Sequence, residues 1–177
     1  MTRRHIHYEA AFEDFLRSRG LPYVPVDETR KTLFAGAKIK SFDFLVYRHE
    51  GPHLLVDIKG RKFPYDSRGA KRYWENWVTR EDLEDLSQWQ DVFGDGFEAV
   101  LVFAYWLTGP GGATDPTETI HPYRGEYYAF LSVRVSDYVA AARRRSPKWD
   151  TVMVPTRTFR KLARSLDDWV GPSSLPE

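Results

Sequence analysis

Asp57, Ile58 and Lys59 close an apolar run, His53 to Val56, and set a carboxylate and an ammonium in one segment of strong strand propensity. In an extended strand residues i and i+2 project to the same side, so Asp57 and Lys59 point together while Ile58 turns to the core. Asp43 stands among apolar neighbours in a similar stretch just upstream, Ser41-Phe42-Asp43-Phe44-Leu45-Val46-Tyr47. If the two stretches pair as a hairpin, two carboxylates meet on adjacent strands, and each is costly to bury unless paired, hydrogen-bonded or bound to metal. Lys59 alone cannot neutralise both. Magnesium prefers oxygen ligands and keeps several waters, so two or three carboxylates plus a strand carbonyl such as that of Ile58 suffice, and manganese would also fit. Such an ion acidifies a bound water and neutralises charge developing at phosphorus, and Lys59 can hold that water or the phosphoryl oxygens. The plainer readings of the same residues are an exposed ion pair at a strand end and an Asp43 paired with Lys40.

These side chains need strands in register and helices to cover them. Residues 40–47 and 53–59 are predicted strands, joined as a hairpin by 48–52 with the turn residues Gly51 and Pro52. Ahead of them, 7–19 reads as an amphipathic helix with Tyr8, Ala11, Phe12, Phe15 and Leu16 at helical spacing and Gly20 as its stop. Residues 21–26, with two prolines, suit a short edge strand, and 31–37 a short helix or loop. Thr79 is a candidate N-cap with Asp82 at the capping-box position, opening a helix through Leu83, Leu86, Trp89, Gln90 and Phe93 that Gly94 closes. Beyond it, 98–107 reads as a buried strand, 108–125 as a loop, 126–133 as a returning strand, 136–145 as a helix, 151–154 as a short strand and 156–169 as a last helix. The order gives an α/β layout with a mixed central sheet flanked by helices, the second helix crossing over to a further strand. Residues 1–170 are expected to be one domain and 171–177 a tail.

The sequence has 177 residues and no cysteine, which excludes structural disulfides, thiolate zinc sites and cysteine-ligated clusters and fits a reducing cytoplasm. No apolar run approaches membrane-spanning length. Net charge is +1, from 26 Lys and Arg against 25 Asp and Glu, so bulk charge announces no polyanion partner. Its distribution says more. Residues 60–77 follow the candidate strand with glycine, proline, many cations and aromatics, and read as a long functional loop. Arg61, Lys62, Arg68, Lys71 and Arg72 are candidate phosphate contacts. Trp74, with Tyr65, Tyr73 and Trp77, could stack on unpaired bases, although aromatics more often serve the core. Arg143 to Arg145 reads as charge at a helix C-terminus, Gln88 and Gln90 as amides near the site, and His5 and His7 as surface or capping groups.

With Glu9 in the first helix, Asp43 on the next strand and Asp57-Ile58-Lys59-Gly60-Arg61 after it, the chain resembles the PD-(D/E)xK nuclease superfamily. It looks most like archaeal Holliday-junction resolvases and related small nucleases. The resemblance implies a restriction-endonuclease-like αβββαβ core, with Asp43, Asp57 and Lys59 catalytic and Glu9, Asp43, Asp57 and the Ile58 carbonyl around Mg2+ (or Mn2+). Glu13 or Asp14 could take the part of Glu9. Phe42 stands where the family name has proline, and the segment beyond Val133 lies outside the shared core, so substrate preference does not carry over. The expectation is a metal-dependent nuclease, with DNA ahead of RNA as partner, in the cytoplasm. A dimer would suit junction or double-strand cleavage. The alternative is a catalytically inactive nucleic-acid-binding or assembly subunit that kept the fold.

Overall fold

A computed structural model describes residues 3–26, 32–34, 37–63, 74–108 and 120–170. Helix α1 (Arg3–Ser18) buries Ala11, Phe12, Phe15 and Leu16 along one face. It ends where Gly20 takes a φ of 65° and its N–H bonds the Arg17 carbonyl while Leu21 N–H bonds that of Leu16, a left-handed C-terminal turn that favours glycine. Strands β1 (Tyr23–Pro25), β2 (Thr32–Phe34), β3 (Ala37–Ile39) and β4 (Phe44–Val46) lead to the long β5 (His53–Phe63). Then come β6 (Val78–Thr79), α2 (Arg80–Phe93), β7 (Phe97–Leu107), β8 (Ile120–Tyr123) and β9 (Glu126–Arg134). Helix α3 (Val135–Ala141), β10 (Arg143–Ser146), β11 (Thr151–Met153), α4 (Thr156–Leu162), β12 (Arg164–Ser165) and α5 (Asp167–Val170) complete the order.

The main sheet runs β1-β4-β5-β7-β9-β12, with β8 also paired to β9. Strands β5 and β7 are parallel from His53 opposite Phe97 to Phe63 opposite Leu107, and every other pairing in the sheet is antiparallel. Helix α2 makes the crossover between the two parallel strands. Alternation along the strands divides the core in two. Leu54, Val56, Ile58, Val100, Val102 and Ala104 face α1, and Leu55, Leu101, Phe103 and Tyr105 pack with α2, α3 and α4 residues such as Leu86, Tyr138 and Phe159. A smaller sheet, β10-β11-β6, sits at the start of α2.

Several sequence expectations shift. Residues 32–34 and 37–39 pair as antiparallel strands where a helix or loop was expected. Strand β5 continues past Lys59 to Phe63 because β7 offers a parallel partner along its whole length, so Gly60 to Phe63 belong to the sheet and not to a loop. The expected helix over 136–145 stops at Ala141, since Ala142 is extended and Arg143 to Ser146 pair with β11. The last helix is broken at the extended Ala163, which frees Arg164 and Ser165 to pair with β9. Strand β8 lies inside the expected 108–125 loop.

Candidate active site

The site forms where β4 ends beside β5. Phe44 is the last β4 residue in register, opposite Val56. Asp43, one residue earlier, is buried, donates its N–H to the Val56 carbonyl at 2.9 Å, and accepts the Ile58 N–H on Oδ2 at 2.5 Å. Its carboxylate thus replaces a backbone partner at the point where the ladder stops. Backbone groups of residues i and i+2 face the same strand edge, so the Ile58 carbonyl faces the edge that β4 has vacated.

Asp57 and Lys59 share the α2 side of β5, as the strand period requires, while Ile58 is buried on the α1 side. Lys59 Nζ lies 2.8 Å from Asp57 Oδ2 and 2.8 Å from Asp82 Oδ2, and the three side chains are only 14, 13 and 11 % exposed. Asp82 comes from the first turn of α2. Thr79 Oγ1 caps its backbone N–H at 3.1 Å, which leaves its carboxylate for Lys59 on one oxygen and Lys40 Nζ, at 2.7 Å, on the other. Lys40 is fixed in turn: its N–H donates to Asp85 at 3.2 Å and its carbonyl accepts from Trp89 Nε1 at 2.9 Å. The result is a chain of alternating charge, Asp57, Lys59, Asp82, Lys40, largely buried up to its exposed last member.

This chain sets the protonation states. Burial pushes the Asp57 carboxyl up, and Lys59 offsets only part of that. Burial would lower the Lys59 ammonium, but Asp57 and Asp82 outweigh it and hold it well above the usual lysine range. For Asp82 burial acts upward, and Lys59 and Lys40 together reverse it and hold the carboxyl well below the usual range. Lys59 is therefore held as the ammonium. Asp57 Oδ2 is partnered by the ammonium at 2.8 Å, and Ser41 Oγ is one of the described buried side-chain atoms with no hydrogen-bond partner. Both residues border a cavity of about 10 Å3 that Lys40, Asp82 and Asp85 also line, room for about one water or ion.

The expected residues are distributed as follows. Asp57, Ile58 and Lys59 follow one another on β5, and Asp43 reaches that strand between Asp57 and Lys59 through the Ile58 N–H. Glu9 lies on α1, which covers the opposite face of β5 from Asp57 and Lys59. Among the described residues no three His, Asp or Glu side chains gather closely enough to hold a metal ion, so the trio Glu9, Asp43 and Asp57 is not assembled in this structure. Arg61 is turned inward: its guanidinium donates to the Gly60 and Trp77 carbonyls and lies 4.2 Å from the Trp77 ring centroid. A cation so engaged is not a free phosphate contact. Lys62 is exposed on the other face, over Trp106. Trp74 is 5 % exposed and stacks on Phe63 at 4.1 Å, which places it in the core instead of against a base. Tyr65, Arg68, Lys71, Arg72 and Tyr73 lie outside the described residues. Gln90 bonds the start of β7, with Nε2 on the Phe97 carbonyl and Oε1 on the Ala99 N–H, and Gln88 is exposed at a groove that Val139 and Arg144 also line. His7 hydrogen-bonds Tyr128 at 2.9 Å.

Asp82 is the residue that sequence reasoning assigned to the helix cap alone. Its signal was there: an acid with a buried backbone neighbour three residues after a Thr cap that already satisfies its N–H has a carboxylate to spare.

No family model and no curated protein matches the chain. Among solved structures it is similar to Hjc, a Holliday junction resolvase from the archaeal hyperthermophile Archaeoglobus fulgidus, with a TM-score of 0.54 and 12 % identity over 93 % of both chains. At that identity the likeness concerns the fold. The fold is the restriction-endonuclease-like one, a mixed central sheet flanked by helices.

Proposed function

We propose that this protein is a metal-dependent nuclease that hydrolyses phosphodiester bonds, in DNA ahead of RNA. The observation that carries the reading is the β4–β5 split: Asp43, just before β4, accepts the Ile58 N–H between Asp57 and Lys59, the Ile58 carbonyl faces the vacated edge, and Lys59 follows on the same face as Asp57. The fold supports it, being that of a Holliday junction resolvase. The donor set is all oxygen, which suits Mg2+ or Mn2+, and Asp57 borders a cavity of about 10 Å3 that has room for about one ion. Asp43, Asp57 and the Ile58 carbonyl would hold the ion, and Glu9 stands as third carboxylate on the family resemblance alone. A divalent cation held there would neutralise charge at phosphorus and acidify a water.

The chain's own groups do the rest. Lys59, kept protonated by two carboxylates, donates a hydrogen bond to the attacking water or to a phosphoryl oxygen but does not take a proton. Asp82 keeps Lys59 charged and in place when Asp57 is engaged elsewhere. Asp43 fixes the middle of β5 through the Ile58 N–H. In this reading residues 1–170 act as one nuclease domain in the cytoplasm, as a homodimer where two strands are cut. Among the described residues no helix is long and apolar enough to cross a membrane.

One observation favours the inactive-subunit reading: Lys59 already places a cation between Asp57 and Asp82. The deciding experiment is a panel of single-stranded, duplex, flap and four-way DNA and matching RNA with magnesium or manganese, wild type beside Asp57→Ala. Metal-dependent cleavage that Asp57→Ala abolishes supports the nuclease. Binding without cleavage, and no heat on magnesium titration, supports the inactive subunit.

A further inference from the structure

Strands β10 and β11 and the turn from Pro147 to Asp150 make a hairpin at the edge of the smaller sheet. Strand β10 carries Arg143, Arg144 and Arg145, all exposed, and Lys148 and Trp149 follow in the turn. Trp149 is 67 % exposed, the most exposed large hydrophobic side chain among the described residues, and Lys148 Nζ lies 5.2 Å from its ring centroid. A lone exposed aromatic needs no explanation. Four cations on the same short hairpin do, because like charges there repel unless something compensates them. Among the described residues no carboxylate lies within ion-pair distance of Arg143, Arg144 or Lys148, and Arg145 reaches Glu75 only at 4.0 Å. The acid of the turn, Asp150, is directed to Arg80: its carboxylate lies 3.2 Å from Arg80 Nε and its carbonyl accepts the Arg80 N–H at 3.0 Å.

These bonds also place the hairpin. Thr151 pairs with Thr79, the cap of α2, whose hydroxyl holds the Asp82 N–H. Arg145 lies 5.2 Å from the centroid of the Trp77 ring that Arg61 covers at 4.2 Å. A continuous set of contacts therefore leads from Lys59 along β5 through Arg61 and Trp77 to Arg145. The hairpin's charge fits a polyanion, and its ring fits a partner with exposed π-faces. Single-stranded nucleic acid has both, whereas an intact duplex hides its base faces.

We propose that the β10–β11 hairpin docks an unpaired stretch of nucleic acid beside the candidate site, Trp149 stacking on a base while Arg143, Arg144 and Lys148 hold flanking phosphates. This rests on the nuclease reading for the class of polymer, not for hydrolysis. The test is fluorescence anisotropy of a labelled short oligothymidine with the full chain in EDTA, over a series of salt concentrations. Trp149→Ala should weaken binding about tenfold or more, with Trp149→Phe retaining most of the affinity. The Arg143→Ala/Arg144→Ala variant should lower the log–log salt slope by about 1.4, at roughly 0.7 per phosphate on a single strand. A blunt duplex should lose little on Trp149→Ala. Wild-type affinity and slope in these variants would overturn the proposal, as would loss of binding only to vesicles of anionic lipid or to an acidic peptide. If the hairpin variants lose oligothymidine while wild type cleaves nothing with metal, the nuclease reading fails and the docking hairpin stands.

Discussion

Replacing Lys59 by Met removes the cation from between Asp57 and Asp82, and the structure sets the size of the effect. Both carboxylates are 2.8 Å from the same Nζ, so they lie no farther apart than about twice that distance. At an effective dielectric of about 20 their repulsion is then about 3 kcal/mol or more if both stay ionised. Breaking a buried pair by deleting one partner costs about 3–5 kcal/mol, and these side chains are close enough to buried for that range to apply. Lys40→Met is the internal control. It touches the same Asp82 but is 60 % exposed, so it should cost no more than about 1 kcal/mol.

The pH dependence has a definite sign. Asp57 has a folded pKa raised above its unfolded value, so its ionisation costs stability as pH rises through that range, and Lys59→Met enlarges this cost. Asp82 has a lowered folded pKa, so it contributes stability above its unfolded value and loses it on acidification, and Lys59→Met reduces this contribution. The difference between wild type and variant is therefore largest near neutral pH: its Asp57 part fades as pH falls to about 4, near the unfolded carboxylate pKa, and its Asp82 part only as pH falls further. Urea unfolding of wild type, Lys59→Met, Lys40→Met and the triple variant Asp57→Asn/Lys59→Met/Asp82→Asn, at neutral and acid pH, measures this. The triple variant, with no charge left on the three, should recover most of the loss. A Lys59→Met cost below about 1 kcal/mol at neutral pH, or one that grows on acidification, would show that the charge chain does not behave as a buried network.

Gly60→Ala should destabilise by about 1–3 kcal/mol, because a Cβ there would overlap the Tyr8 ring, and Tyr8→Ala in the same chain should relieve most of it in thermal melts. Asn76→Ala should cost about 1–3 kcal/mol in urea, since the buried amide accepts the Val154 N–H at 2.8 Å and donates to the Val154 carbonyl at 3.0 Å. Asp82→Asn should lower cleavage more through kcat than through KM if Asp82 positions Lys59, and its effect should be far smaller in a Lys59→Met background.

The helix α1, the hairpin β4–β5, the cap at Thr79 and strands β7 and β9 were legible because each has one dominant local signal: helical spacing, alternation, or a cap followed by an apolar stripe. Arg143 to Ser146 and the break at Ala163 were not, because β10 and β12 exist only through pairing with β11 and β9. A run of arginines has no period of its own. Trp74 and Arg61 show the same limit at the site, since composition marks both for a polyanion while Phe63 and Trp77 claim them for the interior.

Asp57-Ile58-Lys59 acquires its meaning from Asp82. Read along β5, the pair is an acid and a base that neutralise one another. In the structure Lys59 is shared, and Asp82 is the partner whose carboxyl is held low while that of Asp57 is pushed up. Asp82 therefore ionises the more readily, although both carboxylates lie 2.8 Å from the ammonium. A divalent ion at the β4–β5 split would compete with Lys59 for Asp57 without releasing Lys59, because Asp82 still holds it. Lys59→Met should then raise magnesium affinity at Asp57, and Asp82→Asn should lower it by leaving Asp57 as the sole counter-ion of Lys59. Magnesium titration calorimetry of the two variants gives opposite shifts from wild type if the two carboxylates divide these roles, and shifts of one sign if they do not.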